Sequence, residues 1–359
     1  MNQLIRKAFP IIVLSFVLLP LTLLTQQIIE NPDKPLAKNV GRVLKLQEVW
    51  RITDESGEFY FKNPGGVQIA GDGSIFLSDA EQFLRFSADG KFIKNLYKKG
   101  EGPGEISGYF SFFIVGNELI VRDSNRGKIW RTDFEGNLLG EIFSLSARQY
   151  GFIGIRKGDF IITKSEQPTA SERTGKLIEI PRAIVLMSKD GKTEKLIVTF
   201  RPRMFGSPNA MRVWDNSLEV LSQDGKWLVG YHGLQYLIEI VDIEQAKIVR
   251  SFNRKYQRVK HVEDDFEKDF NKKYGAPTME FESDVKGLKL NGARIWVKTS
   301  TKDANKGDLW DVFNVDGKYL DNFYLGSGKT LLKVDGDVVF LTEKNADETI
   351  ALVKYKIIG

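Results

Sequence analysis

The chain has 359 residues, 42% apolar and 11% aromatic, enough for a sizeable core and enough to exclude a wholly disordered protein. Its formal charge is +5, but Arg6 and Lys7 lie in an N-terminal leader. Setting them aside leaves 50 basic against 47 acidic residues, too even a balance for a nucleic-acid footprint. The absence of cysteine excludes disulfides, thiolate metal sites, thiol catalysis and a lipidated N-terminal Cys.

Residues 1–27 read as a signal peptide or an N-terminal membrane anchor. A short basic start precedes the apolar run Ala8–Leu24, the charge order of a secretory signal. No small-x-small cleavage site follows, and the run is about as short as a bilayer span allows. A cleaved signal and an uncleaved anchor at residues 8–24 both stay open, and both put the body outside the cytoplasm, in a periplasm or at a cell surface. Only the anchor implies membrane contact. Residues 28–39, with Asn31-Pro-Asp-Lys-Pro35, read as an extended linker.

From Val40 the pattern becomes short period-2 apolar runs separated by Gly, Asp and Asn, which is the grammar of strands and turns. The segment 65–97 holds four such strands, with tight turns after the first and third. The unit recurs. Glycines 73, 116, 158, 225, 292 and 336 mark six first turns, spaced 43, 42, 67, 67 and 44 apart. A base period in the low forties with two enlarged copies predicts a propeller of six four-stranded blades. The sixth copy is one strand short at the C-terminus, and Gly41–Ile52 supplies a spare strand at the other end. The expected fold is therefore all-β: a six-bladed β-propeller over residues 40–359, closed by an N-terminal strand that leaves the leader at the sixth blade. Within the second enlarged repeat, Val262, Phe266, Phe270 and Tyr274 fall at i, i+4 spacing with acids first and lysines last. That predicts a short helical insertion at about 254–280, between blades four and five, docked through its aromatic stripe.

Asp123-Ser-Asn-Arg126, and less closely Asp79-Ala-Glu-Gln82, resemble the strand-connecting motif of NHL-type repeats. Lys99-Gly-Glu-Gly-Pro-Gly-Glu105 contains a Gly-x-Gly-Pro-Gly-Glu segment similar to one in bacterial six-bladed propeller proteins that are exported and often lipid-anchored. The resemblance covers residues 40–359 as architecture but only the first two blades as motif, and the lipoprotein Cys is missing. It implies an exported propeller with no established catalysis.

Strand parity places the first and third turns of every blade on one face of the disc. These are short. The long segments, 100–108, 165–182, 201–214, 253–281 and 301–308, fall on the other face, where binding is expected. There Arg201, Arg203, Arg212 and Trp214 could clamp an anionic or planar ligand. Glu101 and Glu105 could line the channel mouth, although a structural turn is the simpler reading. The expected inner strands bring Lys286, Lys289 and Lys333 toward the axis, beside Gln68 and Glu219, and suit an anion better than a cation.

Only His232 and His261 are available as imidazoles, too few for a metal-lyase site, and no Gly-x-Ser-x-Gly elbow occurs. His232 reads as a loop residue on the elaborated face and His261 as a surface residue. The expected function is a non-catalytic binding or scaffold propeller for an envelope protein, a glycan or an anionic small ligand, with no cofactor. A metal-assisted, lactonase-like hydrolase is the alternative, and only that alternative calls for Ca²⁺.

Overall fold

The computed structural model describes residues 27–54, 57–145, 150–345 and 348–358. Apart from one helix, the described elements are strands, and they assemble six antiparallel four-stranded blades. Three N-terminal strands come first: β1 (Ile28–Asn31), β2 (Arg42–Val43) and β3 (Leu46–Ile52). Blade one is β4 (Pro64–Ile69), β5 (Ile75–Asp79), β6 (Gln82–Phe86) and β7 (Phe92–Asn95). Blade two is β8 (Phe110–Val115), β9 (Glu118–Asp123), β10 (Lys128–Asp133) and β11 (Leu138–Ser144). Blade three uses β12 (Tyr150–Arg156) and β13 (Asp159–Ser165), then, after β14 (Lys176–Glu179), β15 (Arg182–Met187) and β16 (Glu194–Phe200). After β17 (Arg203–Ser207) and β18 (Ala210–Val213), blade four is β19 (Asn216–Leu221), β20 (Trp227–Gly233), β21 (Ile238–Asp242) and β22 (Lys247–Arg254). Helix α1 (Asp265–Tyr274) follows β22 and precedes blade five: β23 (Val285–Asn291), β24 (Arg294–Asp303), β25 (Gly307–Asn314) and β26 (Tyr319–Tyr324). Blade six is β27 (Lys329–Asp335), β28 (Val338–Lys344), β29 (Ile350–Ile357) and β3.

The six glycine turns join the first and second strands of the six blades, and every one of the six glycines has positive φ, from 57° to 90°. The inner strands β4, β8, β12, β19, β23 and β27 touch in that order, and β27 returns to β4, which closes the ring. The apolar core is divided accordingly. Six clusters of buried side chains sit one at each blade boundary, for example Ile161, Ile184 and Phe200 of blade three against Leu228, Val241 and Ile243 of blade four.

The N-terminal strand closes the ring as expected: Leu352 to Ile357 of β29 pair antiparallel with Ile52 to Leu46. The chain before it behaves differently from a free linker. β1 lies parallel to β22 on the outer edge of blade four. Leu36 and Ala37 then donate to the carbonyls of Tyr319 and Leu320, and β2 lies parallel to β26 on blade five. Asn31 is buried. Its amide donates to the carbonyls of Asn253 and Gly317 at 2.8 Å and accepts from the Tyr319 N–H at 2.9 Å. The leader therefore joins the propeller at blade four, not blade six, while the apolar run 8–24 lies outside the described residues. No helix among the described residues is long and apolar enough to cross a membrane.

The enlarged repeats hold two further departures. Segments 165–182 and 201–214, read as loops, contribute β14, β17 and β18 to a separate three-stranded sheet. Helix α1 has the capping box Asp264/Glu267 and an αL Gly275. Its aromatic stripe docks only in part: Phe270 meets the buried Phe205 with ring centroids 6.2 Å apart, whereas Val262 and Phe266 are 83% and 77% exposed. Polar contacts anchor the rest. Arg212 of β18 reaches Glu267 and Asn271, and His261 bridges Glu267 and Glu282 at 2.9 and 2.7 Å.

Candidate functional site

The inner strands surround a central cavity of about 710 Å³, and every blade contributes to its lining. Lys289 pairs with Trp296 and Lys333 with Phe340, each two pairs inside the hairpin ends Asn291–Arg294 and Asp335–Val338. The two lysines thus occupy equivalent positions in adjacent blades. Both line the cavity, and neither forms a hydrogen bond or ion pair among the described residues. Burial, and then the charge of Lys333, lowers the pKa of Lys289. On the opposite side the register position of Lys289 corresponds to Phe113, which pairs with Ile120 two places inside Val115–Glu118. The cavity reaches the hairpin turns at Gln223, Gly292 and Asp335. On blades one and two its lining extends toward the long-loop ends of the strands, at Gly66, Ser78 and Phe110.

Two inner-strand groups near the axis, Glu219 and Gln68, are engaged. Glu219 accepts from Arg182 Nε at 2.6 Å and Nη2 at 3.1 Å. Gln68 clips blade one to blade two, donating to the Phe112 carbonyl and accepting from the Ile114 N–H. No group of three or more His, Cys, Asp or Glu side chains among the described residues is placed to hold a metal ion.

Most of the remaining residues singled out in the sequence have partners of their own. Lys286 forms an ion pair with Glu282 at 2.6 Å and is not part of the cavity lining. Arg203 makes a two-pronged pair with Asp215, both distances 2.8 Å, Arg212 is spent on helix α1, and Trp214 is buried. Arg201 is exposed and lines no cavity described here. A second cavity of about 440 Å³ on the loop-rich side is lined by Arg182 and Arg203, whose guanidinium groups already hold Glu219 and Asp215. The arginine cluster expected from the sequence is thus dispersed.

Glu101 and Glu105 are also structural. Glu101 pairs with Arg126, and its carbonyl accepts from Lys128 Nζ at 2.8 Å. Glu105 folds back into its own loop and accepts from the Gly102 N–H at 2.8 Å. A Cβ at Gly102 would lie 2.9 Å from that carboxylate and one at Gly100 2.0 Å, so the glycines make room for the glutamate. Asp123, at the head of Asp-Ser-Asn-Arg, accepts from Ser107 N–H and Oγ at 2.9 and 2.7 Å and stitches the incoming crossing to blade two.

Neither histidine reaches the channel lining. His232 lies within β20, not in a loop. Its ring stacks on Phe200 at 3.6 Å between centroids, and its two nitrogens have no hydrogen-bond partner among the described residues. Burial, reinforced by the charge of Arg182, lowers its pKa to about 3. His261 is largely buried between two carboxylates. Burial opposes its protonation, but the hydrogen bonds that the protonated ring donates to Glu282 and Glu267 outweigh that and raise its pKa.

No curated protein matches this sequence. Among solved structures, a Bacteroides fragilis NCTC 9343 protein named as a candidate exported protein aligns with a TM-score of 0.57 and 12% identity, over 93% of this chain and 100% of that one. A member of the DUF4221 family from Bacteroides vulgatus aligns at 0.55 and 11%, over 89% and 99%. A gluconolactonase from Xanthomonas campestris aligns at 0.47 and 12%, over 90% and 99%. At these identities the likeness is one of fold. The model of the DUF5128 six-bladed β-propeller family matches residues 53–298, more than half of the sequence. With six blades closed by β3 on the page, the chain belongs to that family.

Proposed function

We propose that this protein is a non-catalytic binding propeller, acting outside the cytoplasm, that holds an anionic ligand in its central channel. The observation that carries the reading is the pair Lys289 and Lys333, side by side at the axis with no ion pair of their own among the described residues. Of the two carboxylates in the same lining, Glu219 is held by Arg182 and Asp335 lies exposed at the turn. Two ammonium groups in a partly desolvated channel repel each other and lose hydration, which works against the folded state. Such an arrangement is expected where a bound anion restores the balance. A cation is disfavoured there because Glu219 is already taken by Arg182. The catalytic alternative lacks support from the histidines, since His232 is enclosed against Phe200 and His261 is clamped outside the channel. The basic-then-apolar leader supports export.

Thermal unfolding in inorganic phosphate tests the reading. Phosphate stabilises folded proteins generally, so the quantity of interest is the difference between wild type and Lys289→Met/Lys333→Met. The wild type should gain several degrees more than the double variant, and without phosphate the variant should be the more stable of the two. Equal gains in both proteins would refute the anion site.

A further inference from the structure

We infer that the ligand is an aromatic acid, with an anionic group against blades five and six and a flat apolar body against blades two and three. This rests on the channel reading above and adds the ligand class. In the closed ring β8 stands three places from β23, and β12 three places from β27, so blades two and three face the two lysines across the axis. The facing wall is apolar: Phe113, Ile153 and Ile155 line it. Phe113 is half-buried and belongs to none of the six packed clusters, yet its ring contacts Phe152 with centroids 4.5 Å apart. It is a supported aromatic surface with a free side on the cavity. Ser111 lines the same wall, and its buried Oγ has no hydrogen-bond partner among the described residues. A bare inorganic anion would satisfy the lysines and leave that wall and hydroxyl unused. The volume of about 710 Å³ lies within the roughly 300–1,000 Å³ of small-molecule pockets. One anionic end, a flat body and a hydrogen-bonding substituent use all three features together.

Calorimetric titration of the full chain with phenyl phosphate, inorganic phosphate and phenol separates the terms. Phenyl phosphate should bind about threefold to tenfold more tightly than inorganic phosphate, the worth of one aromatic contact. Phenol alone should bind more weakly than phenyl phosphate. Phe113→Ala should erase the preference for phenyl phosphate over inorganic phosphate while leaving phosphate affinity unchanged. Phe113→Leu keeps most of the volume and should reduce the preference, which guards against a folding defect in the alanine variant. Equal affinity for phenyl phosphate and phosphate in the wild type, or an undiminished preference in both Phe113 variants, would overturn the aromatic assignment and leave the anion site standing. Phenol binding as tightly as phenyl phosphate would also overturn it. Failure of both anions to bind the wild type would remove the channel reading itself.

Discussion

Lowering the pH from 7 to 5 should cost the propeller about 2 kcal/mol through His232 alone. An unfolded histidine titrates near 6.5, whereas in the folded state burial beside Phe200 and the charge of Arg182 bring His232 to about 3. Between those values the unfolded chain binds a proton that the native ring refuses. Stability therefore falls as pH falls from 6.5, by up to about 1.4 kcal/mol per pH unit, and the integrated difference between pH 7 and 5 is about 2 kcal/mol. The result barely depends on the folded value, because pH 5 lies well above it. His261 acts in the opposite sense: its raised pKa adds stability below 6.5 that is lost as pH rises through the folded value. The comparison should therefore be made with His232→Leu, which removes one titration and keeps the other. Its stability at pH 7 will differ through the lost Phe200 stack, so the measured quantity is the change with pH in guanidinium unfolding followed by tryptophan fluorescence. The variant should lose about 2 kcal/mol less than wild type on going to pH 5. Parallel curves for the two proteins would refute the picture of a buried, neutral ring without a hydrogen bond, whose Nε2 lies 3.8 Å from a Glu219 carboxylate already engaged by Arg182.

Three other outcomes test the frame. Asp311 is fully buried and receives Arg254 Nε at 2.7 Å and the hydroxyls of Tyr236 and Tyr319 at 2.9 and 2.6 Å, so Arg254→Met, which strands the carboxylate, should cost about 3–5 kcal/mol in equilibrium unfolding. Asn31→Ala abandons two carbonyls and one N–H at the boundary of blades four and five and should cost about 1–3 kcal/mol, with faster hydrogen exchange at the Tyr319 amide. Phe205→Ala should cost about 3–5 kcal/mol because the ring is fully buried, whereas Phe266→Asp should fall within about 0.5 kcal/mol because its ring is exposed.

What the sequence made legible was local. A glycine at positive φ, followed by an alternating run, identifies a hairpin wherever it occurs, and the six inner strands expected from those turns are the six that surround the channel. What it hid was pairing between distant segments. β14 and β17 lie in stretches that lack strong alternation, and they become strands because Lys176–Glu179 and Arg203–Gly206 pair with each other. Residues 28–31 look like the start of a linker because Pro32 and Pro35 follow; their strand exists only because the edge of β22 is there to receive it. The arginines failed as a cluster for a related reason. Spacing shows that Arg203 and Arg212 are close in the chain, but not that Asp215 and Glu267 claim them. Register did transmit one part of the site: Lys289 and Lys333 sit at matched distances from their turn glycines, and matched register in adjacent blades puts them together.

The placement of the core explains how such a pair can persist. Each of the six apolar clusters is sealed between two neighbouring blades, so the ring is held by its boundaries and nothing at the axis is needed to close it. A residue in the matched inner-strand position is fixed in space by the hairpin turn below it and by the blade behind it, whatever its side chain. Two ammonium groups are a poor choice for stability alone, because they carry a repulsion and a hydration loss that methionine would avoid. Other charges near the axis show what a purely structural solution looks like: Glu219 is met by Arg182, and Lys286, on the same strand as Lys289, is met by Glu282. The same chain that pairs those residues leaves Lys289 and Lys333 facing a phenyl ring and an unused hydroxyl across the axis, and a ligand bearing an anion and an aromatic ring answers both sides at once.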